Sequence, residues 1–304
     1  MNTRTRAHLI LLLTALIWGL SFASQAAAMD YLPPFAFNAI RYLLGALVLL
    51  PLILLRRISF DRQLIETGLL LGLILTAASS LQQLSLQVAS AGKAGFITGL
   101  YIVFVPFLAS FIGEKVNPKQ YIALALALAG LALMSLTQGG GLSWPDLFLL
   151  ICAILFAVHI ILIEHRAKGL DPLALAFVQF VTAGSIAIAL SLLFAEKLSW
   201  ANIQASMGSI LFVGILCCGL AYTLQIVGQK GSDPTTASLI MSLESVFAVI
   251  AGALFLGERL SARQFWGCAF ILAAVIYSTL LDSRARNSLA KENLSKEDNS
   301  AKTS

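Results

Sequence analysis

The sequence predicts an all-α integral membrane protein of ten transmembrane helices, arranged as two five-helix repeats of opposite orientation. Composition, the length of the apolar runs and a match between the two halves carry this expectation. Of 304 residues, 59% are hydrophobic and 12% charged, where a soluble domain carries about 25% charged residues. A bilayer-crossing helix needs ~20 mostly apolar residues. Runs of that kind fall near 8–28, 34–55, 65–88, 92–113, 118–136, 145–164, 172–195, 207–229, 234–256 and 262–281. They are far longer than the ~10 residues of a barrel strand and show no polar–apolar alternation. A helix also satisfies its backbone internally, as hydrocarbon demands.

The first run needs a decision. Arg4, Arg6, the apolar stretch from Leu9 and then Ala26-Ala27-Ala28 resemble a cleavable signal peptide. The run from His8 to Ala28 is nevertheless long enough to span, and its removal would break the repeat, so it is read as helix 1. Further along, Pro34, Pro118, Pro145, Pro172 and Pro234 stand where runs begin. Proline suits a first helical turn, whose N–H groups are unpaired anyway. Asn117, Asp171 and Asp233 precede three of them as N-cap acceptors, and Ser261 is placed to cap helix 10.

Lys and Arg set orientation. With the N-terminus cytoplasmic, fifteen basic residues fall inside (Arg4, Arg6, Arg56, Arg57, Arg62, Lys115, Lys119, Arg166, Lys168, Lys230 and five in the tail). Four fall outside: Lys93, Lys197, Arg259 and Arg263. Both termini are then expected to be cytoplasmic, with a polar, disordered tail over 283–304.

The halves match at an offset of 138 residues. Ala15-Leu16-Ile17-Trp18 faces Ala153-Ile154-Leu155-Phe156, Pro34 faces Pro172, and Arg41 faces Gln179. Later the offset is 144, pairing Gly113-Glu114 with Gly257-Glu258 and Gln120 with Gln264. The units are then 1–141 and 142–282. Five helices are an odd number, so the second unit enters the membrane upside down, a plan recurrent in secondary transporters with the site near the midplane.

Other classes are disfavoured. The net charge of +5 is not gathered into a basic face, which argues against nucleic acid. Cys152, Cys217, Cys218 and Cys268 lie in apolar runs without metal or disulfide spacing, and no cofactor is expected. An enzyme would need a ligand cluster or a nucleophile with its base. Histidines at 8, 159 and 165 supply neither, and no Gly-x-Ser-x-Gly, P-loop or GxGxxG context occurs. A receptor or scaffold would carry a sizeable soluble domain. The partners expected are a small-molecule substrate and the lipid bilayer; a homodimer is left open.

The segment Ala91-Gly92-Lys93-Ala94-Gly95-Phe96-Ile97-Thr98-Gly99-Leu100-Tyr101 resembles the fourth helix of EamA-type members of the drug/metabolite transporter superfamily. Leu243-Glu244-Ser245-Val246-Phe247 with Leu256-Gly257-Glu258-Arg259 resembles the ninth, and Trp18-Gly19 and Arg41 match as well. The resemblance covers residues 8–282 and implies a ten-helix inner-membrane carrier exporting amino acids or related small metabolites. It also implies a central cavity lined by helices 1–4 and 6–9, with 5 and 10 peripheral. Ser245 stands where the family usually has proline, so a kink in helix 9 is not expected from it, and Pro106 is placed to bend helix 4 instead.

Charge deep in a membrane faces a cavity or a partner, which singles out Arg41, His159 and Glu244. Arg41, about 10 Å along helix 2, can fork onto a substrate carboxylate. Its bland alternatives are snorkelling and pairing with Asp30. Glu244 can take a substrate ammonium or a coupling proton, or simply tie helices 8 and 9 together. His159 suits an interhelical bond. Gln83, Gln179, Tyr222 and Gln225 are candidates for a hydrated pathway or for interhelical glue, and Trp18 and Tyr101 for aromatic walls, with Tyr42. Ser79, Ser80, Gln82, Gln87 and Gln229 share those polar stretches. Glu114 and Glu258 read as structural, as do Gly68-x-x-x-Gly72 and Gly95-x-x-x-Gly99. Uptake and drug efflux are as compatible with these residues as export.

Overall fold

The prolines and acids read as helix starts act as such. Pro34, Pro172 and Pro234 each open a helix. Asp171 accepts from the backbone N–H of Leu173 and Ala174 at 2.9 and 3.1 Å, and Asp233 from that of Thr236 at 2.9 Å. The computed structural model describes residues 3–113, 117–135, 143–255, 261–263, 265–278 and 280–281. Glu114, Lys115, Gly257, Glu258, Arg259, Gln264 and the tail 283–304 lie outside the described residues.

Among the described residues all regular structure is helical, and eight helices are long and apolar enough to cross a membrane. They are α1 (Thr3–Met29), α2 (Pro34–Arg56), α3 (Arg62–Leu86), α4 (Ala91–Phe111), α6 (Trp144–Arg166), α7 (Pro172–Leu193), α8 (Met207–Gln229) and α9 (Pro234–Phe255). Two apolar helices are shorter, α5 (Gln120–Ser135) and α10 (Phe265–Ser278). The ten runs of the sequence thus divide into eight of spanning length and two that are shorter among the described residues. A further short helix, Trp200–Ala205, precedes α8.

Two apolar cores form. One joins α4, α5, α6, α9 and α10 with part of α1 and the end of α3; the other joins α2, α3, α7 and α8 with further residues of α1 and α6. Trp18 of α1 and Phe156 of α6 pack against both, so they mark the seam. Small residues let the helices cross closely. A methyl group on Gly72 would stand 2.5 Å from Thr182 Cβ, and one on Gly45 would stand 2.7 Å from Cys218 Cβ. Across from Gly45, the stretch Phe212–Tyr222 of α8 is wound as a π-helix, a form found most often at functional sites.

Helices α4 and α9 are each interrupted once. The α4 backbone is helical over Ala91–Thr98 and Tyr101–Phe111, and that of α9 over Pro234–Met241 and Glu244–Phe255. The two breaks share one hydrogen-bond pattern. The N–H of Leu100 bonds the carbonyl of Ile97 at 3.1 Å and that of Ile102 the carbonyl of Gly99 at 3.2 Å. Leu243 bonds Ile240 at 3.2 Å and Ser245 bonds Ser242 at 3.1 Å. The residues correspond at an offset of 143, which places Tyr101 opposite Glu244 as the first residue after each break.

This corrects one expectation. Helix 9 breaks without a proline, because turns closed by i to i+3 bonds take over its backbone there. Pro106 lies inside the continuous Tyr101–Phe111 segment, so the interruption of α4 falls upstream of it. Ser245 instead ties the two helices together, its hydroxyl donating to the Gly95 carbonyl at 2.9 Å.

Close crossing at Gly72 gives a test. Gly72→Leu forces α3 from α7 and is expected to lower stability by about 1–3 kcal/mol, read as an earlier thermal unfolding in detergent. Gly208→Leu, where nothing lies within 4 Å of an added Cβ, is expected to leave the transition in place.

Candidate functional site

A cavity lies at the seam. Its wall comprises Trp18, Ser21, Phe22 and Gln25 from α1, Arg41 from α2, Gln82 from α3, and Thr98 and Tyr101 from α4. Phe156 and Ile160 from α6, Cys217, Tyr222 and Gln225 from α8, and Glu244 from α9 complete it. Helices α5, α7 and α10 contribute none of these residues. Four pairs on the wall correspond between the halves: Trp18 with Phe156 and Phe22 with Ile160 at offset 138, and Gln82 with Gln225 and Tyr101 with Glu244 at offset 143.

The exceptions to that correspondence carry much of the polarity. Arg41 is 2% exposed, which removes snorkelling, and its partners are not Asp30. Its Nη1 donates to Gln25 Oε1 at 2.6 Å and its Nη2 to the Tyr42 hydroxyl at 3.0 Å. Its guanidinium carbon stands 4.7 Å from the Tyr42 ring centroid and 5.6 Å from that of Phe37, within cation–π range. Among the described residues Arg41 forms no ion pair. A full positive charge is therefore held by dipoles and aromatic faces alone.

Gln25 is the residue that sequence reasoning missed. Its amide donates to Ser21 Oγ at 3.0 Å, and its oxygen accepts from both Arg41 and Gln83. The available signal was spacing: Trp18, Ser21, Phe22 and Gln25 follow the i, i+3, i+4, i+7 pattern of one helix face. The run Ala26-Ala27-Ala28 drew attention to a cleavage-site pattern instead. Ser21, Phe22, Thr98, Phe156, Ile160 and Cys217 were likewise not among the candidates, whereas Gln82 belongs to the polar stretch of helix 3 already named.

Of the candidates, Trp18, Arg41, Tyr101, Tyr222, Gln225 and Glu244 meet on the wall. Gln83 stands behind it, bound to Gln25. His159 and Gln179 also lie off the wall, His159 Nε2 at 3.1 Å from Gln179 Oε1, with the His159 ring 6.3 Å from that of Tyr222. That pair reads as interhelical glue under the aromatic wall, where Trp18 and Tyr222 sit 4.8 Å apart.

Glu244 is 3% exposed. The Tyr101 hydroxyl lies beside it, yet neither Tyr101 Oη nor Glu244 Oε1 has a hydrogen-bond partner of full geometry. Trp18 Nε1, Arg41 Nε and Gln225 Oε1 are buried and unpartnered too. Five such atoms thus border one cavity, and more lie elsewhere among the described residues.

Polar contacts close both ends of the bundle. At one end Lys93 Nζ meets Asp146 Oδ1 at 2.7 Å, and Glu196 accepts from the N–H of Phe35 and Ala36 at 3.1 and 2.7 Å. At the other, Arg4 meets Asp233 at 3.9 Å, Ser232 Oγ stands 3.4 Å from His8 Nε2, and Lys230 Nζ donates to the Leu170 carbonyl. Burial lowers the Lys230 ammonium from its ordinary value, against the pull of Asp171.

A polytopic helical protein whose interior cavity buries an arginine and a glutamate has the architecture expected of a membrane transporter. The profile of the EamA-like transporter family matches residues 5–136 and again 143–280, and the chain belongs to that family. A relative from Archaeoglobus fulgidus, named an uncharacterized transporter, is 30% identical over 281 residues, 91% of this chain and 87% of its own. A relative from Chlamydia muridarum, named an S-adenosylmethionine/S-adenosylhomocysteine transporter, is 28% identical, covering 88% of this chain and 89% of its own. The inner membrane transporter YedA of Escherichia coli is 24% identical over 275 residues. One crystal structure, 20% identical, shares the fold at a TM-score of 0.76 over 93% of this chain and 99% of that one.

The role of Gln25 can be isolated. Gln25→Leu strips a charged donor of its acceptor and is expected to cost about 1.5–3 kcal/mol, read as earlier thermal unfolding. Gln25→Glu gives Arg41 a counter-charge in place and is expected to unfold no earlier than the wild type.

Proposed function

We propose that this protein is a secondary, ATP-independent carrier that exports amino acids or related small metabolites across a bacterial inner membrane. Its two units, 1–141 and 142–282, stand in opposite orientation, and the closures at the two ends open in turn around the central cavity. The observation that carries this reading is the ring of five unpartnered buried polar atoms around one cavity, including a cation without an acid and an acid without a cation.

An amino-acid zwitterion answers that arrangement. Its carboxylate takes the fork of Arg41, replacing neutral contacts with a charge-assisted pair. Its ammonium takes Glu244. The side chain lies against Trp18, Phe156 and Tyr222, with Gln82, Gln225 and Thr98 supplying polar contacts. Gln83, His159 and Gln179 hold the wall from behind. Aromatic and polar side chains line the cavity together, so the site can receive a solute with a charged head and a flat apolar part. The name of the Chlamydia relative supports that reading, since S-adenosylmethionine joins an amino-acid head to a flat base and a sulfonium.

Matched wall residues at offsets 138 and 143 support the two-unit architecture, and the excess of Lys and Arg in the 56–62 loop supports a cytoplasmic N-terminus.

The test is metabolite profiling of cells lacking or overproducing the protein, followed by flux in proteoliposomes with labelled amino acids and S-adenosylmethionine. Arg41→Gln is expected to weaken the transported solute roughly 100-fold, as for loss of a ~3 kcal/mol charged contact. Gln25→Glu, which neutralises Arg41 in place, is expected to abolish flux while the protein stays folded. If no small solute moved under any gradient, the carrier reading would fail.

A further inference from the structure

We infer that Glu244 is a proton site, and that the carrier exchanges one proton for one zwitterionic substrate at this carboxyl. The inference rests on the proposed carrier function and adds the coupling ion. Glu244 is the carboxyl on the cavity wall and is buried there without an ion-pair partner among the described residues. The groups facing it are Tyr101 from α4, Cys217 from α8 and Cys152 from α6, none of them a cation. From α1 it is approached by Trp18 and the Gly19 backbone, and from α3 by Gln82. The cation on the wall, Arg41 of α2, is engaged by Gln25 and Tyr42.

The side chain cannot leave for water. A methyl group on Gly19 would stand 2.6 Å from the Glu244 carbonyl oxygen, so α1 lies tight against the backbone that carries it. As the first residue after the α9 break, Glu244 sits at the start of a twelve-residue helical segment, whose N-terminal dipole eases a negative charge only partly. A buried carboxylate without a cation takes up a proton. Without substrate the carboxyl is therefore neutral, and Arg41 carries the charge among the described residues of the wall.

Substrate binding reverses this. The carboxyl O–H bond breaks and its proton passes to water on the side to which the cavity is open. The freed carboxylate accepts an N–H of the substrate ammonium, while Arg41 receives the substrate carboxylate. The site thus loses one positive charge on binding and regains it when a proton from the opposite side displaces the ammonium. Proton and ammonium exclude one another, so one proton enters for each zwitterion that leaves. Acid outside drives export, because it keeps the outward-facing carboxyl protonated.

Two measurements test this on the full-length protein in lipid. The first needs no substrate: infrared spectra at neutral pH are expected to show a protonated-carboxyl carbonyl band that disappears in Glu244→Gln and shifts in Glu244→Asp. The second adds the labelled amino acids and S-adenosylmethionine of the flux panel to weakly buffered protein with a pH dye. About one proton released per solute bound is expected. In proteoliposomes with the potential clamped at zero, a one-unit pH gradient is expected to sustain about a tenfold solute gradient, as one-for-one exchange requires. Absence of the band, its persistence in Glu244→Gln, binding without proton release, or flux that follows a sodium gradient would each overturn the inference. The infrared result stands or falls even if nothing in the panel is carried, which keeps the failure of the proton site distinct from that of the carrier reading.

Discussion

Hydrocarbon offers the backbone no water, so every N–H and C=O inside it must be bonded within the protein. That single demand shapes the rest of the molecule. It makes the spanning elements helical and puts Asp171 and Asp233 at helix starts, where a carboxylate answers open N–H groups. Among the described residues the spanning helices depart from regular α-helix in the breaks of α4 and α9 and in the π-wound stretch of α8. At the breaks, tight turns and the Ser245 hydroxyl provide the partners. Because the breaks fall at matching positions, they deliver Tyr101 and Glu244 to one cavity from two helices.

Much of the fold was legible because apolar length and proline position report on local backbone chemistry. Pro34, Pro172 and Pro234 marked helix starts with no knowledge of neighbours. The correspondence of Trp18 with Phe156 was also legible, and both residues proved to sit at the seam between the cores. The α9 break was not, since the expected signal was a proline and the turn is made by ordinary residues between Met241 and Glu244. The one-residue difference between offsets 143 and 144 hid the pairing of Tyr101 with Glu244.

The site was legible in its charges and less so in its supports. Arg41 and Glu244 stood out because charge in an apolar helix is rare. Gln25 did not, although it touches Ser21, Arg41 and Gln83 at once. A neutral amide gives little signal in a sequence until its partners from other helices are known. His159 and Gln179 show the converse: each is polar in an apolar run, and the two meet each other off the cavity wall. Long-range pairing decides which polar residue lines a cavity and which one braces it.

The unequal wall of the cavity bears on how such a protein arises. A cavity shared by two identical chains about a twofold axis must show the same groups to both sides of its occupant. An arginine contributed by one chain would be repeated by the other, and two cations would face each other in a dry space. A single chain that carries the family unit twice escapes this rule, since each copy drifts independently. Here Arg41 has only an amide, Gln179, as its counterpart, and Gln25 has an isoleucine, Ile163, at the same offset. Carrying the unit twice in one chain is thus what lets the two sides of the cavity wall differ.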